Sequence, residues 1–496
     1  MIKRIACCFV VTALLAGFAA RAIGQTIRLE AEDAELIGVR AIRPGQPTSA
    51  ATTTPTTATS SAPATAPVRR NFSGKGFVTG FETSAGQLIV HIRDAKPGLY
   101  SLRFGYTATS AIKQFEVVVN NDLRIYGLLP QTDQTFRPHA AGRVELGAGD
   151  NTIRFERGWG YYDLDYIELE PVPLPPPPKH VARTLVDPKA TPEARDVFAR
   201  LCDAYGRETL SGVYSREDAE LVRKVSGNLP AIMGGDLMDY SPSRIEYGVE
   251  KKNTSEELIA LAREGYLLTV SWHWNAPSGL LDKMITGPDG NQVDARWYKG
   301  FNTNATTFDL SNAIADERSE DYRLLVRDID AIAIQLRKFE KAKVPILWRP
   351  LHEAEGKWFW WGATGAEPYV KLWRLMHDRL TNHHQLHNLI WVYTGGVDHS
   401  WYPGDAFVDV VGIDAYPPDV RDPLSEFWDA VRAQYSDRKL LALSEFGGVP
   451  DIERMRRHGV YWSYFTSWTG QSGPAKMKAD DLRKIYLSPN VKNRTR

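Results

Sequence analysis

Hydrophobic positions fall into two regimes along the chain. From Thr26 to about Pro171 they cluster in short runs rich in Val, Ile, Tyr and Phe: Gln87–Ile92, Gly98–Tyr106, Phe115–Val119, Arg143–Leu146, Thr152–Phe155 and Tyr166–Glu170. Turn-forming residues separate them, as in Lys96-Pro97-Gly98, Asn120-Asn121-Asp122 and Gly147-Ala148-Gly149-Asp150. Regularly spaced short strands with such punctuation predict an antiparallel β-sandwich over residues 25–171. Residues 44–68 break the pattern, being almost entirely Thr, Ala, Ser and Pro. A tract of that composition cannot bury enough apolar surface to order itself, so a flexible inserted loop is expected there.

The second regime follows a proline-rich run, Pro171 to Pro178, read as an extended linker over residues 172–180. From residue 181 to 496, buried-type strands alternate with amphipathic helical stretches. The candidate strands are Thr209–Tyr214, Pro230–Gly235, Leu267–Trp274, Ile346–His352, Leu389–Tyr393, Val408–Asp414, Leu440–Glu445 and Val460–Trp468. The helical runs include Arg216–Val225, Ser255–Glu264, Ser319–Lys341, Glu367–Leu380, Pro423–Tyr435 and Asp451–Arg457. Eight strands alternating with helices predict a (β/α)8 TIM barrel. An open doubly wound sheet is the alternative, but it usually carries a glycine-rich phosphate turn after its first strand. Gly234-Gly235-Asp236 is too short to be one.

Residues 1–24 stand apart from both regimes. Lys3 and Arg4 precede an apolar run, Ile5 to Ala20, and Ala22-Ile23-Gly24 offers small residues for cleavage. This is the pattern of a secretory signal peptide, so the mature protein is expected to be secreted, extracellular or periplasmic, with no membrane segment. Cleavage removes Lys3, Arg4 and Arg21 from 60 basic residues and none of the 60 acidic ones, leaving a net charge of −3. No basic excess argues for nucleic acid. Cys7 and Cys8 leave with the signal, so Cys202 has no disulfide partner and no thiolate zinc cage is available. No oligomerisation signal is visible, and a monomer is expected. Hydrophobic residues are 43% and charged residues 24%, which suits a globular chain. The 14 tryptophans exceed what a core requires and fit sugar-stacking platforms as well as an aromatic-lined core.

Barrel enzymes place reactive groups at the C-terminal ends of their strands. There the fourth strand ends in Trp348-Arg349-Pro350-Leu351-His352-Glu353 and the seventh in Ser444-Glu445-Phe446-Gly447. Two glutamates at the mouth of one bowl can face each other across a glycosidic bond, which needs a proton donor on one side and a nucleophile or base on the other. His352-Glu353 resembles the start of a zinc-protease helix, but no second histidine follows four residues after the first. No Gly-x-Ser-x-Gly elbow is evident. His377, His383, His384 and His387 read as solvated surface. Trp358-Phe359-Trp360-Trp361 fits neither helical nor strand periodicity, so some of these rings are expected to lie exposed over the site as sugar platforms.

From about Thr209 to Ile485 the chain resembles glycoside hydrolase family 26, in which endo-β-1,4-mannanases predominate. The resemblance rests on the Trp348–Glu353 motif, Gly356-Lys357-Trp358-Phe359-Trp360-Trp361-Gly362, Gly412-Ile413-Asp414-Ala415-Tyr416 and Ser444–Gly447. It implies a retaining mechanism without a catalytic cofactor, with Glu353 as acid/base and Glu445 as nucleophile. It further implies that His352 and Tyr416 bond the nucleophile and the adjacent sugar, that His273 binds substrate, and that Trp358, Trp468 and Trp297 are subsite aromatics. Arg349 would help keep Glu445 charged. The retaining chemistry requires carboxyl carbons about 5–5.5 Å apart.

The N-terminal region, Ile27 to Glu170 apart from the insertion, is similar to carbohydrate-binding module family 35. The similarity rests on Leu29-Glu30-Ala31-Glu32, Gly74-Lys75-Gly76-Phe77-Val78, Gly149-Asp150-Asn151-Thr152-Ile153 and Asp163–Leu169. It implies a structural Ca²⁺ held by acidic residues. Glu30 and Glu32, read as projecting from the same side of a strand, would share it with Asp165. Trp159 and Tyr161 would stack on sugar. The expected function is therefore a secreted endo-β-1,4-mannanase with an appended module tethered by the proline run, its partner a β-mannan-type polysaccharide. A relative acting on mixed-linkage β-glucan or β-1,3-xylan is the alternative. A non-catalytic polysaccharide-binding protein is a third, against which the retention of both glutamates argues.

Overall fold

A computed structural model describes residues 25–44, 68–250, 252–287, 290–396 and 398–494. The expected signal peptide and nearly all of the Thr/Pro tract lie outside the described residues.

The N-terminal region is a sandwich of two antiparallel sheets, one six-stranded and one five-stranded. The five-stranded sheet runs in the order Glu35–Ile37, Gln87–Ala95, Gly149–Glu156, Lys113–Val119, Leu123–Leu129. Inward-facing Phe104, Phe115 and Phe155 meet edge-on at the centre, with ring centroids 5.0–5.1 Å apart. Leu123–Leu129, the outer strand of this sheet, alternates buried and part-buried residues. It follows the Asn120-Asn121 turn, where both asparagines hold positive φ. The sequence reading missed this strand, because Gly127 interrupts its apolar run.

Eight parallel strands close the barrel: β1 (Gly212–Val213), β2 (Ile232–Asp236), β3 (Leu267–Trp272), β4 (Ile346–Pro350), β5 (Leu389–Thr394), β6 (Val410–Ala415), β7 (Leu440–Phe446) and β8 (Phe465–Ser467). The first and last are shorter than their apolar runs. Thr209–Leu210 leaves the barrel to pair with Val491–Lys492 near the C-terminal end. β4 through β7 are almost wholly buried, as a barrel covered by helices demands.

The proline run is not a free tether. Val172 N–H bonds the Leu99 carbonyl at 2.9 Å, and the Tyr461 hydroxyl reaches the Pro175 carbonyl at 3.3 Å. The sandwich itself packs on the barrel. Buried Arg143 donates from Nε to the His458 carbonyl at 2.7 Å and from its amide to Ser425 Oγ at 2.8 Å. Gly142 makes this approach possible. Its φ is +76°, and a Cβ there would lie 2.4 Å from Ser425 Oγ.

Candidate active site

The site is built around Arg349, whose side chain is fully buried near the end of β4. Its guanidinium donates to Asp414 Oδ2 at 2.6 Å and to Glu445 Oε2 at 2.5 Å, joining β4 to β6 and β7. Ser444 Oγ donates to the other Asp414 oxygen at 2.7 Å. The Tyr416 hydroxyl donates to Glu445 Oε1. Glu353 follows β4 in the left-handed region, at φ +54°, and Trp358 Nε1 donates to its Oε2 at 3.0 Å. Among the described residues, Glu353, Asp414 and Glu445 form the group whose ligand oxygens lie within 4.8 Å of one another. That group could attract a cation, and the Arg349 guanidinium already supplies one.

Three carboxylates around one guanidinium cannot all ionise comfortably. Burial raises the Glu353 carboxyl above its usual range, and the neighbouring Glu445 charge raises it further. Burial also raises Asp414, to about 7, against the pull of Arg349. Glu445 is pushed up by burial and by Asp414, but Arg349 and Tyr416 oppose this directly. Asp414 and Glu353 also interact directly, which raises Asp414 and lowers Glu353, so a proton is held between these two carboxyls while Arg349 and Tyr416 favour the charge on Glu445.

A second network flanks the first. His273 Nδ1 bonds Asp236 at the end of β2, and its Nε2 lies 3.1 Å from His352 Nε2. Burial opposes charge on His273, but Asp236 outweighs it and the net shift is upward. Burial, with Arg349 and His273 nearby, drives His352 well below its ordinary value. His273 therefore donates to both neighbours, and neutral His352 accepts.

The aromatic run divides unevenly. Trp358 is 47% exposed beside Glu353, while Phe359, Trp360 and Trp361 are buried. The exposed ring expected in this run is Trp358, while Trp360–Ala363 forms a short helix that the run's lack of periodicity did not predict. Trp360 Nε1 bonds the Trp274 carbonyl at 2.7 Å and Trp361 Nε1 bonds the His352 carbonyl at 2.9 Å, so these rings buttress the β3 and β4 ends. Trp468 lies by His273 and Tyr214, with ring centroids 6.4 and 4.8 Å away. Trp297 sits on the Ala295–Tyr298 helix beneath Arg244, and its ring contacts run to Arg244 and Tyr298 rather than to the carboxylates.

A sequence profile described as glycosyl hydrolase family 26 matches residues 186–495. The chain belongs to glycosyl hydrolase family 26. A family 35 carbohydrate binding module profile matches residues 51–172. A mannan endo-1,4-β-mannosidase of Thermothelomyces thermophilus is 37% identical, covering 96% of each chain. The crystal structure of a Podospora anserina GH26-CBM35 β-(1,4)-mannanase is 36% identical with a TM-score of 0.62, covering 94% of this chain and 97% of that one. A ruminal GH26 endo-β-1,4-mannanase is 26% identical with a TM-score of 0.61, covering 95% and 98%.

Outside the family 26 barrel, the expected module residues are partly gathered. Glu32 lies in a helical turn, Ala31–Asp33, rather than on the strand with Glu30. It turns inward, with Oε1 accepting from Lys75 N–H at 2.5 Å and buried Oε2 without a partner. Glu30 and Asp165 both accept from Ser73 Oγ, at 2.6 and 3.1 Å. Burial raises Asp165 to about 6, with the Glu30 and Glu32 charges adding to it. Trp159 and Tyr161 are exposed at 59% and 54%.

Two functional neighbours escaped the sequence reading. Asp236 looked like part of an abortive glycine turn, and its position at the end of β2 was the available signal. Half-buried Tyr214, beneath Arg349, carried none beyond its place at the end of the first predicted strand. The four histidines expected on the surface do not all lie there. His377 is buried against Trp391 and Phe407, and His384 and His387 bond Asp330 and Asp187 at 2.6 and 2.7 Å.

Replacing Arg349 by Met would leave Asp414 and Glu445 buried without their cation. The expected cost is about 3–5 kcal/mol of stability, read as a lowered midpoint in denaturant unfolding.

Proposed function

We propose that this enzyme is a secreted, retaining endo-β-1,4-mannanase in which Glu445 is the nucleophile and Glu353 the acid/base. The observation that carries the reading is the pair of opposed glutamates, one bonded to Arg349 and one without a cation in contact and raised by burial, with oxygens within 4.8 Å. Inverting pairs stand about 6.5–9.5 Å apart to admit a water, so the closeness favours retention.

In the first step Glu445 attacks the anomeric carbon as Glu353 protonates the departing glycosidic oxygen. The Glu445 charge is consumed in the new ester bond. Glu353, now a carboxylate without a charged neighbour opposite, is less basic than before but can take a proton from the incoming water. That water cleaves the ester, and both glutamates return to their starting states. Tyr416 and Arg349 hold Glu445 in line and lower its basicity while it is free. Trp358, beside the acid, and Trp468, on the far wall, offer stacking faces for the sugars flanking the cleaved bond, with the paired rings of His273 and His352 shaping the wall between them. Trp297 would serve a more distant subsite. Mannan is favoured over other β-glycans because the full-length relatives bear that activity in their names.

The module would hold the enzyme on the polysaccharide through Trp159 and Tyr161. Glu30, Glu32 and Asp165 would hold a Ca²⁺ beside the Ser73–Lys75 turn by drawing their oxygens together, and Glu32 Oε2 is buried there without a partner. It would neutralise their crowded charge and tie the first strand to that turn.

Glu445→Ala is expected to abolish turnover while leaving polymer binding nearly intact. Residual activity above a few per cent would remove the nucleophile assignment. Reducing-sugar release should be greatest on mannan when it is compared with mixed-linkage glucan and β-1,3-xylan. The active form needs protonated Glu353, whose carboxyl titrates above the ordinary 4.5. The kcat/KM profile should therefore fall as pH rises through that raised value, with protonation of Glu445 setting the acid limb of a bell, and Glu353→Gln should remove the alkaline limb. Calcium added after chelation should raise the melting temperature of the full chain, and Glu32→Gln should blunt that rise.

A further inference from the structure

The outer strand of the sandwich, Leu123–Leu129, meets the loop that leaves β6. Its odd-numbered residues pair with the neighbouring strand through Val119↔Leu123, Val117↔Ile125, Phe115↔Gly127 and Lys113↔Leu129. The N–H groups of Arg124, Tyr126 and Leu128 consequently point away from the sheet, as on any free edge. Carboxylates of one barrel segment face them. Asp419 Oδ2 accepts from Arg124 at 3.4 Å and Asp422 Oδ2 from Tyr126 at 2.9 Å, while Glu426 Oε2 is buried over Gly127. Gly127 keeps the approach open, since a Cβ there would lie 2.0 Å from Glu426 Oε2.

The same segment begins at Tyr416, whose hydroxyl bonds Glu445. Tyr416 is 45% exposed, so barrel packing alone does not hold it. The sandwich supplies what is missing. The Tyr126 ring lies 5.3 Å from Phe427, and its phenol stands beside the Tyr416 backbone. On the other side Gly447 lets the Tyr416 ring approach closely, because a Cβ there would be 2.5 Å from its Cδ1.

We propose that the N-terminal sandwich is a structural part of the active site, with Tyr126 and Asp422 as positioning residues that hold Tyr416 against the nucleophile. This rests on the function proposed above for Glu445. The sandwich would then raise turnover on soluble oligosaccharides, where capture of a polymer contributes nothing.

The test compares full-length Tyr126→Phe, Asp422→Ala and Asp422→Asn on soluble oligomers of whichever glycan the wild type cleaves. Arg457→Ala, which breaks the Arg457–Glu145 pair elsewhere on the same interface, serves as the control. Tyr126→Phe and Asp422→Ala should lower kcat by roughly three- to tenfold with KM within about twofold, a displacement effect rather than a binding one. Asp422→Asn, which keeps an acceptor for only one of the Tyr126 and Leu424 amides, should recover part of the loss. Hydrogen exchange over residues 417–426 should quicken in the first two variants and not in the control. Wild-type kcat in Tyr126→Phe and Asp422→Ala with unchanged exchange would overturn the proposal, as would an equal loss in Arg457→Ala. If the wild type cleaves none of the glycans, the proposed function fails instead, and the exchange measurement still decides whether the sandwich holds the loop.

Discussion

The Arg349 guanidinium, closed off from solvent, lies between the carboxylates of Asp414 and Glu445. Burying such a cation is tolerable only because two anions meet it with short, well-directed bonds, and those anions come from different strands. The arrangement ties β4, β6 and β7 together at the face where barrel enzymes work. It also sets the protonation pattern. With the single cation committed to Asp414 and Glu445, Glu353 has no counter-charge in contact and burial raises its carboxyl. Two identical side chains thus meet different surroundings, one bonded to a cation and one not.

Around this pair the barrel invests bulky aromatic packing. Trp272 and Trp274 stack at 4.4 Å, Trp360 meets Trp274 edge-on at 4.9 Å, and the indole N–H groups of Trp360 and Trp361 bond main-chain carbonyls of the β3 and β4 ends. Residues after β4 adopt positive φ at Leu351, Glu353 and Lys357, conformations that side-chain-bearing residues hold only when neighbours enforce them. The buried tryptophans are those neighbours. The high tryptophan content thus has two uses, with most rings buried in the barrel, four of them under this rim, and a few facing outward.

The relation between the two domains is tighter than a proline-rich boundary suggests. A polyproline stretch implies distance, yet Pro175 lies against Tyr461 and Gly459, and Arg143 is buried between the sheets and the helix that starts at Ser425. The exposed edge of the five-stranded sheet is covered by acidic side chains of the barrel, which removes an aggregation-prone surface and orders a loop at the same time.

Periodicity in the chain by itself determined two sheets' worth of short strands followed by eight buried strands with amphipathic helices between them, because each element's burial pattern is local. It also determined that Glu353 and Glu445 sit at strand mouths, since strand ends are read from where apolar runs stop. Family 26 membership was legible in the spacing of those motifs. Tertiary structure alone decided the rest. Asp236 and Tyr214 became neighbours of the site only when β1 and β2 closed on β8 and β3. Glu32 was displaced from its strand by a helical turn that buries it. Three of four consecutive aromatics turned inward because the β4 rim needed filling. The docking of Tyr126 beside Tyr416 joins positions 290 residues apart, and no local pattern encodes a contact that depends on where two separately folded surfaces meet.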